Sequence, residues 1–281
     1  MNNVIVRRVG SEDISQVIPG IVNVFRDDEV VPWHKYEACL AWVTKRVERG
    51  FYMTIACDGD KIIGYSEWIE TYDKNKKIFY LGLMQVDCDL RSKGIGKLML
   101  DDGEKYARII GASCLRTIPD DERSHNFYRK YSFVETDAIY YCSCPTSESE
   151  DSVPVRYGKF GTITLEIANS HDFIFGLCQS SGRHMYEVAN HNPELGEYIT
   201  ETINFSDGYL QFRHHIDSKI ASAIYWSNEE TTAETVSAIL SHGRAEGFDE
   251  MEFYFKSKYL NLFAGYDITR ETTELEREII L

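Results

Sequence analysis

The chain has 281 residues, is 43% hydrophobic and carries a formal net charge of −15. That composition can build a proper core, and the length permits one large or two ordinary domains. It argues against a nucleic-acid partner, which demands a basic face, and against a membrane partner, since no apolar run approaches the about 20 residues of a span.

In chain order, Val4–Arg8 reads as a first strand, and helices are predicted from Ser11 and from His34. Phe51–Cys57 and Lys61–Ile69 are strand-like runs around Asp58-Gly59-Asp60, a strong hairpin turn. The apolar run Ile78–Val86 then enters Val86-Asp87-Cys88-Asp89-Leu90-Arg91-Ser92-Lys93-Gly94-Ile95-Gly96-Lys97, and a long amphipathic helix leaves it. A strand, a basic glycine loop and a helix together present free backbone amides to an anion, because a helix start has unpaired N–H donors and partial positive charge. Arg91, Lys93 and Lys97 add charge around that cradle. The loop is no Walker A motif, since Leu98 follows Gly96-Lys97, and no dinucleotide fingerprint, since Met99 stands where a third glycine belongs.

The spacing Arg91-x-x-Gly94-x-Gly96 resembles the acetyl-CoA pyrophosphate loop of the GNAT family of N-acetyltransferases. Downstream come a short strand, Ser113–Ile118, and a segment with Phe127-Tyr128, Lys130 and Phe133 in register with the family's fourth-helix motif. Ser124 and Ser132 replace the usual Ala and Gly, and Cys88 stands where the family often has Pro. The order of elements matches the family over residues 1 to about 144.

The second half contains weaker echoes of the first. Residues 145–156 turn polar and acidic and read as a linker between a domain at 1–144 and another at 157–281. After it, Thr162–Ile167 alternates like a strand, Ser170–Ser180 reads as the start of a helix, and Tyr209–His215 and Lys219–Trp226 form a hairpin-like pair. Lys61-Ile62…Trp68 recurs as Lys219-Ile220…Trp226 at an offset of 158, Arg108…Gly111 is echoed by Arg244…Gly247, and Ser132-Phe133 by Gly265-Tyr266. The expected fold class is therefore α/β (α+β): tandem GNAT-like domains, each a mixed, mostly antiparallel sheet flanked by helices. From Trp226 only four residues precede a helix expected near Thr231 or Thr232, so the second copy has no counterpart of Ile78–Asp87 or of the glycine loop. Glu229 and Glu230 would repel a pyrophosphate there, and Leu260-Asn261 replace Phe127-Tyr128. The second copy is expected to shape the acceptor site, support the first domain or mediate homodimerisation.

The resemblance implies direct acetyl transfer from acetyl-CoA to a primary amine of a small molecule or peptide. Backbone at Val86, Asp87 and Cys88 would pair with pantetheine, while Arg91, Ser92, Lys93, Gly94, Ile95, Gly96 and Lys97 would hold the pyrophosphate and Phe127 would pack on the cofactor. Tyr128 would give a proton to the leaving thiolate. For the base, the family's β4 carboxylate position holds Tyr80, leaving Glu67, the less well-placed Glu70, or ordered water. Cys88 reads as a small strand-end residue rather than a nucleophile. Asp27-Asp28-Glu29 and Trp33-His34-Lys35-Tyr36 would suit an amine acceptor, and equally an exposed loop. Seven cysteines without framework spacing and a start unlike a signal peptide point to a cytoplasmic protein. No metal site is expected, because Cys142-x-Cys144 and His214-His215 read as ordinary strand residues. The alternative function is a non-catalytic, acyl-CoA-binding regulatory or scaffold protein.

Overall fold

The computed structural model describes residues 4–27, 35–73, 76–148, 163–176, 182–190, 198–205 and 208–279. In the first half these form β1 (Val4–Arg8), α1 (Ile14–Val24), α2 (Tyr36–Glu48), β2 (Tyr52–Asp58), β3 (Lys61–Asp73), β4 (Lys76–Val86), α3 (Ile95–Ile109), β5 (Cys114–Thr117), α4 (Glu122–Lys130) and β6 (Val134–Pro145). Each follows from its local sequence. Gly59, at φ +61°, turns the β2–β3 hairpin, and α1 buries Ile14, Val17, Ile18 and Ile21 at helical spacing. Asp121 and Ser124 close a reciprocal capping box on α4, which explains a serine where a small alanine was expected.

The second half forms α5 (Leu165–Ser170), β7 (Asp172–Phe175), α6 (Gly182–Asn190), β8 (Tyr198–Phe205), β9 (Gly208–His215), β10 (Ile220–Ser227), α7 (Ala233–Ala245), β11 (Glu250–Lys256) and β12 (Thr269–Glu278). Two expectations fail here. The expected strand Thr162–Ile167 is not one over its described residues, 163–167: Thr164 caps α5 by accepting from the Ile167 amide, and Ile163 and Ala168 are buried together. An alternation this short also suits one helical turn. The segment after Ser170 is not a helix start, because Phe173-Ile174-Phe175 pair as β7. None of the helices among the described residues is long and apolar enough to cross a membrane.

The strands of the described residues join one twelve-stranded sheet, ordered β1-β2-β3-β4-β5-β12-β6-β11-β7-β10-β9-β8. Its pairings are antiparallel except β4 with β5 and β10 with β11, the two places where a helix, α3 or α7, crosses over between neighbours. This topology corrects the repeat. The identities at an offset of 158 equate β3 with β10, whereas the parallel crossover puts β10 in the position of β4, which the second half therefore does not lack. The strand that fills the first half's sheet between β5 and β6 is β12, from the far end of the chain.

One face of the first half packs α1 and α2 on Tyr65, Ile69, Ile78 and Tyr80. The other packs α3 and α4 on Trp68, Phe79, Leu81 and Leu115. Helix α6 bridges the halves: Met185 and Tyr186 join Ile224 and Trp226, while its other side lies against β3.

Candidate active site

The site begins where two parallel strands part. Strand β4 pairs with β5 only from Ile78↔Cys114 to Leu81↔Thr117. On its other side Glu67 faces Leu83 but Trp68 faces Leu81, so Gly82 is the extra residue of a β-bulge. From Gly82 to Val86 strand β4 therefore pairs with β3 alone. Its opposite edge carries N–H and C=O groups that no strand satisfies.

Below this fork the chain makes the glycine loop. Gly94 is the N-cap of α3, in left-handed geometry at φ +85° and without a side-chain cap, so the amides of Ile95, Gly96 and Lys97 have no intrahelical acceptor. Ser92 is also left-handed, at φ +64°, a conformation unusual for a residue with a Cβ. Gly96 is needed for packing: an added Cβ would lie 3.2 Å from the Phe127 ring. The Arg91 Nε donates to the Val86 carbonyl at 3.3 Å and the Lys93 Nζ to the Asp89 carbonyl at 3.2 Å. Lys97 pairs with Asp101 one turn along α3.

Asp87 is a clasp rather than a free group. Its buried carboxylate accepts from the Arg26 guanidinium at 3.0 Å and from the Asp89 amide at 3.1 Å, with the Lys61 ammonium at 3.3 Å. The Arg26 hydrogen bond, helped by Asp89 and Lys61, holds its pKa down at about 2 despite burial. Arg26, at the end of α1, also donates to the Cys88 sulfur at 2.8 Å and to Asp89 at 2.7 Å. A hydrogen bond with Asp27, followed by burial, pushes the Cys88 thiol up, which keeps it protonated and a poor nucleophile.

A cleft of about 430 Å³ joins the loop to α4, lined by Met84, Val86, Arg91, Gly94, Phe127 and Tyr128 among others. Tyr128 is 6% exposed, packs on Phe127 and Phe133, and has its hydroxyl beside Thr117, the last β5 residue paired with β4. Its hydroxyl therefore marks the fork. Burial pushes its pKa well up, so the phenol keeps its proton.

Glu67 lies outside that cleft, on the opposite face of the sheet. It is 2% exposed and accepts at 2.6 Å from both the Trp42 indole and the Tyr65 hydroxyl, with Arg46 at 3.8 Å. Burial raises its pKa against the pull of Arg46 and these donors. Since Glu67 pairs with Leu83 beside the bulge, Glu67 and Tyr128 flank the fork from opposite faces. Glu70 accepts from Tyr72 and pairs with Lys77; these bonds outweigh burial and lower its pKa. Residues 28–34, with most of the acidic and aromatic acceptor candidates, lie outside the described residues.

Sequence reasoning missed His184. This α6 residue lies against Gly82, where an added Cβ would be 2.8 Å from its ring, and it packs on Phe51 and Tyr80. Beside it Arg183 donates to the Glu70 carbonyl at 2.7 Å and Glu187 pairs with Arg49 at 2.8 Å. The second half thus covers the first half's fork. No local motif signals a contact between residues so distant in sequence.

The second half has a corresponding fork, and it is filled. Strands β10 and β11 pair from Ile220↔Glu250 to Ser222↔Glu252 and then part around β7, with Phe175 opposite both Tyr225 and Phe255. Residues 228–232 carry no glycine, and Thr232 caps α7 with its own side chain.

A family model described as Acetyltransferase (GNAT) family matches residues 18–133. No curated protein matches the chain by sequence. Among solved structures it is similar to a GCN5-related N-acetyltransferase from Kribbella flavida (13% identity, TM-score 0.65, 98% of this chain and 71% of that one). It is also similar to one from Anabaena variabilis (11%, TM-score 0.62, 98% and 73%) and to a tandem GNAT protein from the clavulanic acid biosynthesis pathway (9%, TM-score 0.53, 98% of each chain). At these identities the likeness is one of fold.

Proposed function

Residues 18–133 are a GNAT acetyltransferase domain, and on that premise we propose that the chain transfers an acetyl group from acetyl-CoA directly to a primary amine of a small molecule or peptide, in the cytoplasm. The observation that carries this reading is the continuity of one cleft from the uncapped start of α3, past Gly94 and Gly96, to the buried Tyr128 at the fork. Its residues fit the cosubstrate: helix-start amides and the Arg91 side chain suit a pyrophosphate, and the open edge Gly82–Val86 suits the amide groups of pantetheine. Acetyl-CoA supplies an activated thioester.

The residues of the chain do the rest. Amides of Ile95, Gly96 and Lys97 hold the diphosphate, with Arg91 and Lys93 adding charge. The open edge of β4 positions the thioester and donates N–H groups to its carbonyl oxygen as charge develops there. Tyr128 holds a proton for the departing sulfur. Glu67, kept basic enough by burial, draws the proton from the incoming ammonium, through ordered water where contact is not direct. Asp87 and Cys88 act by tying the loop to Arg26.

Calorimetric titration with CoA, followed by thiol release from acetyl-CoA with a panel of amines, tests the proposal. One CoA is expected per chain, with at least one amine giving thiol release above a Gly94→Glu control. That variant strains a left-handed position and places a carboxylate in the anion cradle. Tight CoA binding with no turnover for any amine would replace this reading with a regulatory, acyl-CoA-binding one.

A further inference from the structure

A second cavity, of about 580 Å³, lies between the halves and is larger than the cleft along α3. The end of β3 forms one wall with Tyr72 and Asp73; the second half supplies the rest, including Asp172, Gly182, Lys256 and Lys258. Helix α6 links the cavity to the face of the fork opposite Tyr128. Gly182 opens α6, and His184, two residues on, lies against Gly82. Asp73 pairs at 3.2 Å with Arg116, whose register partner is Tyr80, two residues before Gly82.

Charges of both signs line this space. The Asp172 carboxylate has no cationic partner among the described residues, and the buried Asn169 Oδ1 in the same turn has no hydrogen-bond partner. Lys258 lies 4.6 Å over the Tyr259 ring, with no carboxylate partner among the described residues. Lys256 is held by Glu274 at 3.0 Å and still faces the cavity. The indole N–H of the fully buried Trp226 is likewise unpartnered, and it sits 3.0 Å from where a Gly182 Cβ would be. Buried polar atoms without partners are rare in folded proteins, and here one such acceptor, on Asn169, lines the cavity, while the Trp226 donor lies behind Gly182 in its wall. Lys258 is exposed and Asp172 half-buried; a plain amine would complement Asp172 alone, and a plain anion would face it. A molecule carrying both charges satisfies both.

We propose that this cavity is the acceptor site and that it takes a small zwitterion, a primary amine bearing a carboxylate or a phosphate. Asp172 and Asn169 hold the ammonium end, and Lys256 and Lys258 hold the anion. Its designation as an acceptor site rests on the acetyltransferase reading; its designation as a zwitterion site does not.

Calorimetry on the full chain without acetyl-CoA separates the two. The probes are the free amino acids, phosphoethanolamine and glucosamine 6-phosphate, each beside its anion-free counterpart: amino-acid amides, ethanolamine and glucosamine. At least one zwitterion is expected to bind saturably, at least tenfold more tightly than its counterpart, and the carboxylate and phosphate arms identify the anion. Lys258→Ala and Asp172→Asn are each expected to weaken that binding at least tenfold while leaving CoA affinity unchanged. The zwitterion site is overturned if no probe binds, if anion-free amines bind equally well, or if both variants bind like the parent. The acceptor assignment is overturned if a zwitterion binds here while only amines that do not compete with it release thiol. An absence of thiol release with every amine overturns the acetyltransferase reading instead.

Discussion

Tyr128 is the residue whose chemistry and surroundings agree most closely. Its ring is packed by Phe127 and Phe133, and its hydroxyl lies by Thr117 at the fork. Burial pushes the phenol pKa up, which suits a donor that must remain protonated until the thiolate leaves. A packing role and a proton-donating role differ in what they do to the kinetics. Tyr128→Phe keeps the ring and removes only the hydroxyl. Steady-state kinetics are expected to show kcat lower by about 10²-fold, a usual share for one general acid, with KM for acetyl-CoA within about twofold. An unchanged kcat would leave Tyr128 as a packing residue. Tyr128 and the glycine loop were legible in the sequence because motif spacing preserves local geometry. For the proposed base the sequence offered Glu67 beside Glu70 and ordered water; only the fold shows Glu67 buried under Trp42 beside the bulge, with Glu70 tied to Tyr72 and Lys77.

Helix α6 joins the two halves, and nothing in the sequence signals that contact. The sequence predicts no element over residues 182–190, yet this helix docks on the first half through Arg183, His184 and Glu187. The hairpin β9–β10 and helix α7 were recognisable because period and capping are local. Strand β7 was not, because a four-residue strand is defined by the two strands that receive it. The docking of α6 has a pH signature. Burial, aided by the nearby Arg46 charge, lowers the pKa of His184 to about 3. The unfolded chain, with an ordinary imidazole near 6.5, therefore binds a proton that the folded chain refuses. The folded state loses stability as pH falls from about 6.5 towards 3. Between pH 7 and pH 5 the loss is about 2 kcal/mol. Urea midpoints at the two values measure it. His184→Gln is expected to be less stable at pH 7 but to have lost this part of the acid slope; an unchanged slope would show that His184 is not its source.

For the whole molecule, the two forks explain why one fold occurs twice with one candidate cofactor site. In the first half the parted edge of β4 is open; in the second, β7 occupies the same topological gap and buries Phe175 between Tyr225 and Phe253. The second half retains the frame and fills it with its own chain. The halves also share strands: β12 crosses back to complete the first half's sheet, and β6 of the first half lies between β12 and β11. Leu275 is buried against the α3 side, while Arg116 on β5 bonds Glu276 at 2.7 Å and lies 3.6 Å from Glu274. Linear reading placed the first domain within residues 1–144 and gave no sign of this, since strand order depends on contacts between distant segments. The consequence concerns folding rather than chemistry. A chain ending at Glu148 retains every residue proposed to touch acetyl-CoA but loses β12. Arg116 would then lose both carboxylate partners on β12, and β5 would become an open sheet edge. The lost burial of Leu275 alone costs about 2–5 kcal/mol, a large share of the stability of an ordinary domain, about 5–15 kcal/mol. Removing residues 267–281 from the full chain should have the same effect. Circular dichroism, size exclusion and CoA calorimetry are expected to find both shortened chains aggregated or unfolded and unable to bind CoA. A soluble 1–148 fragment that unfolds cooperatively and binds CoA would show that the first half closes its sheet without β12, and that the strand exchange is dispensable to the site.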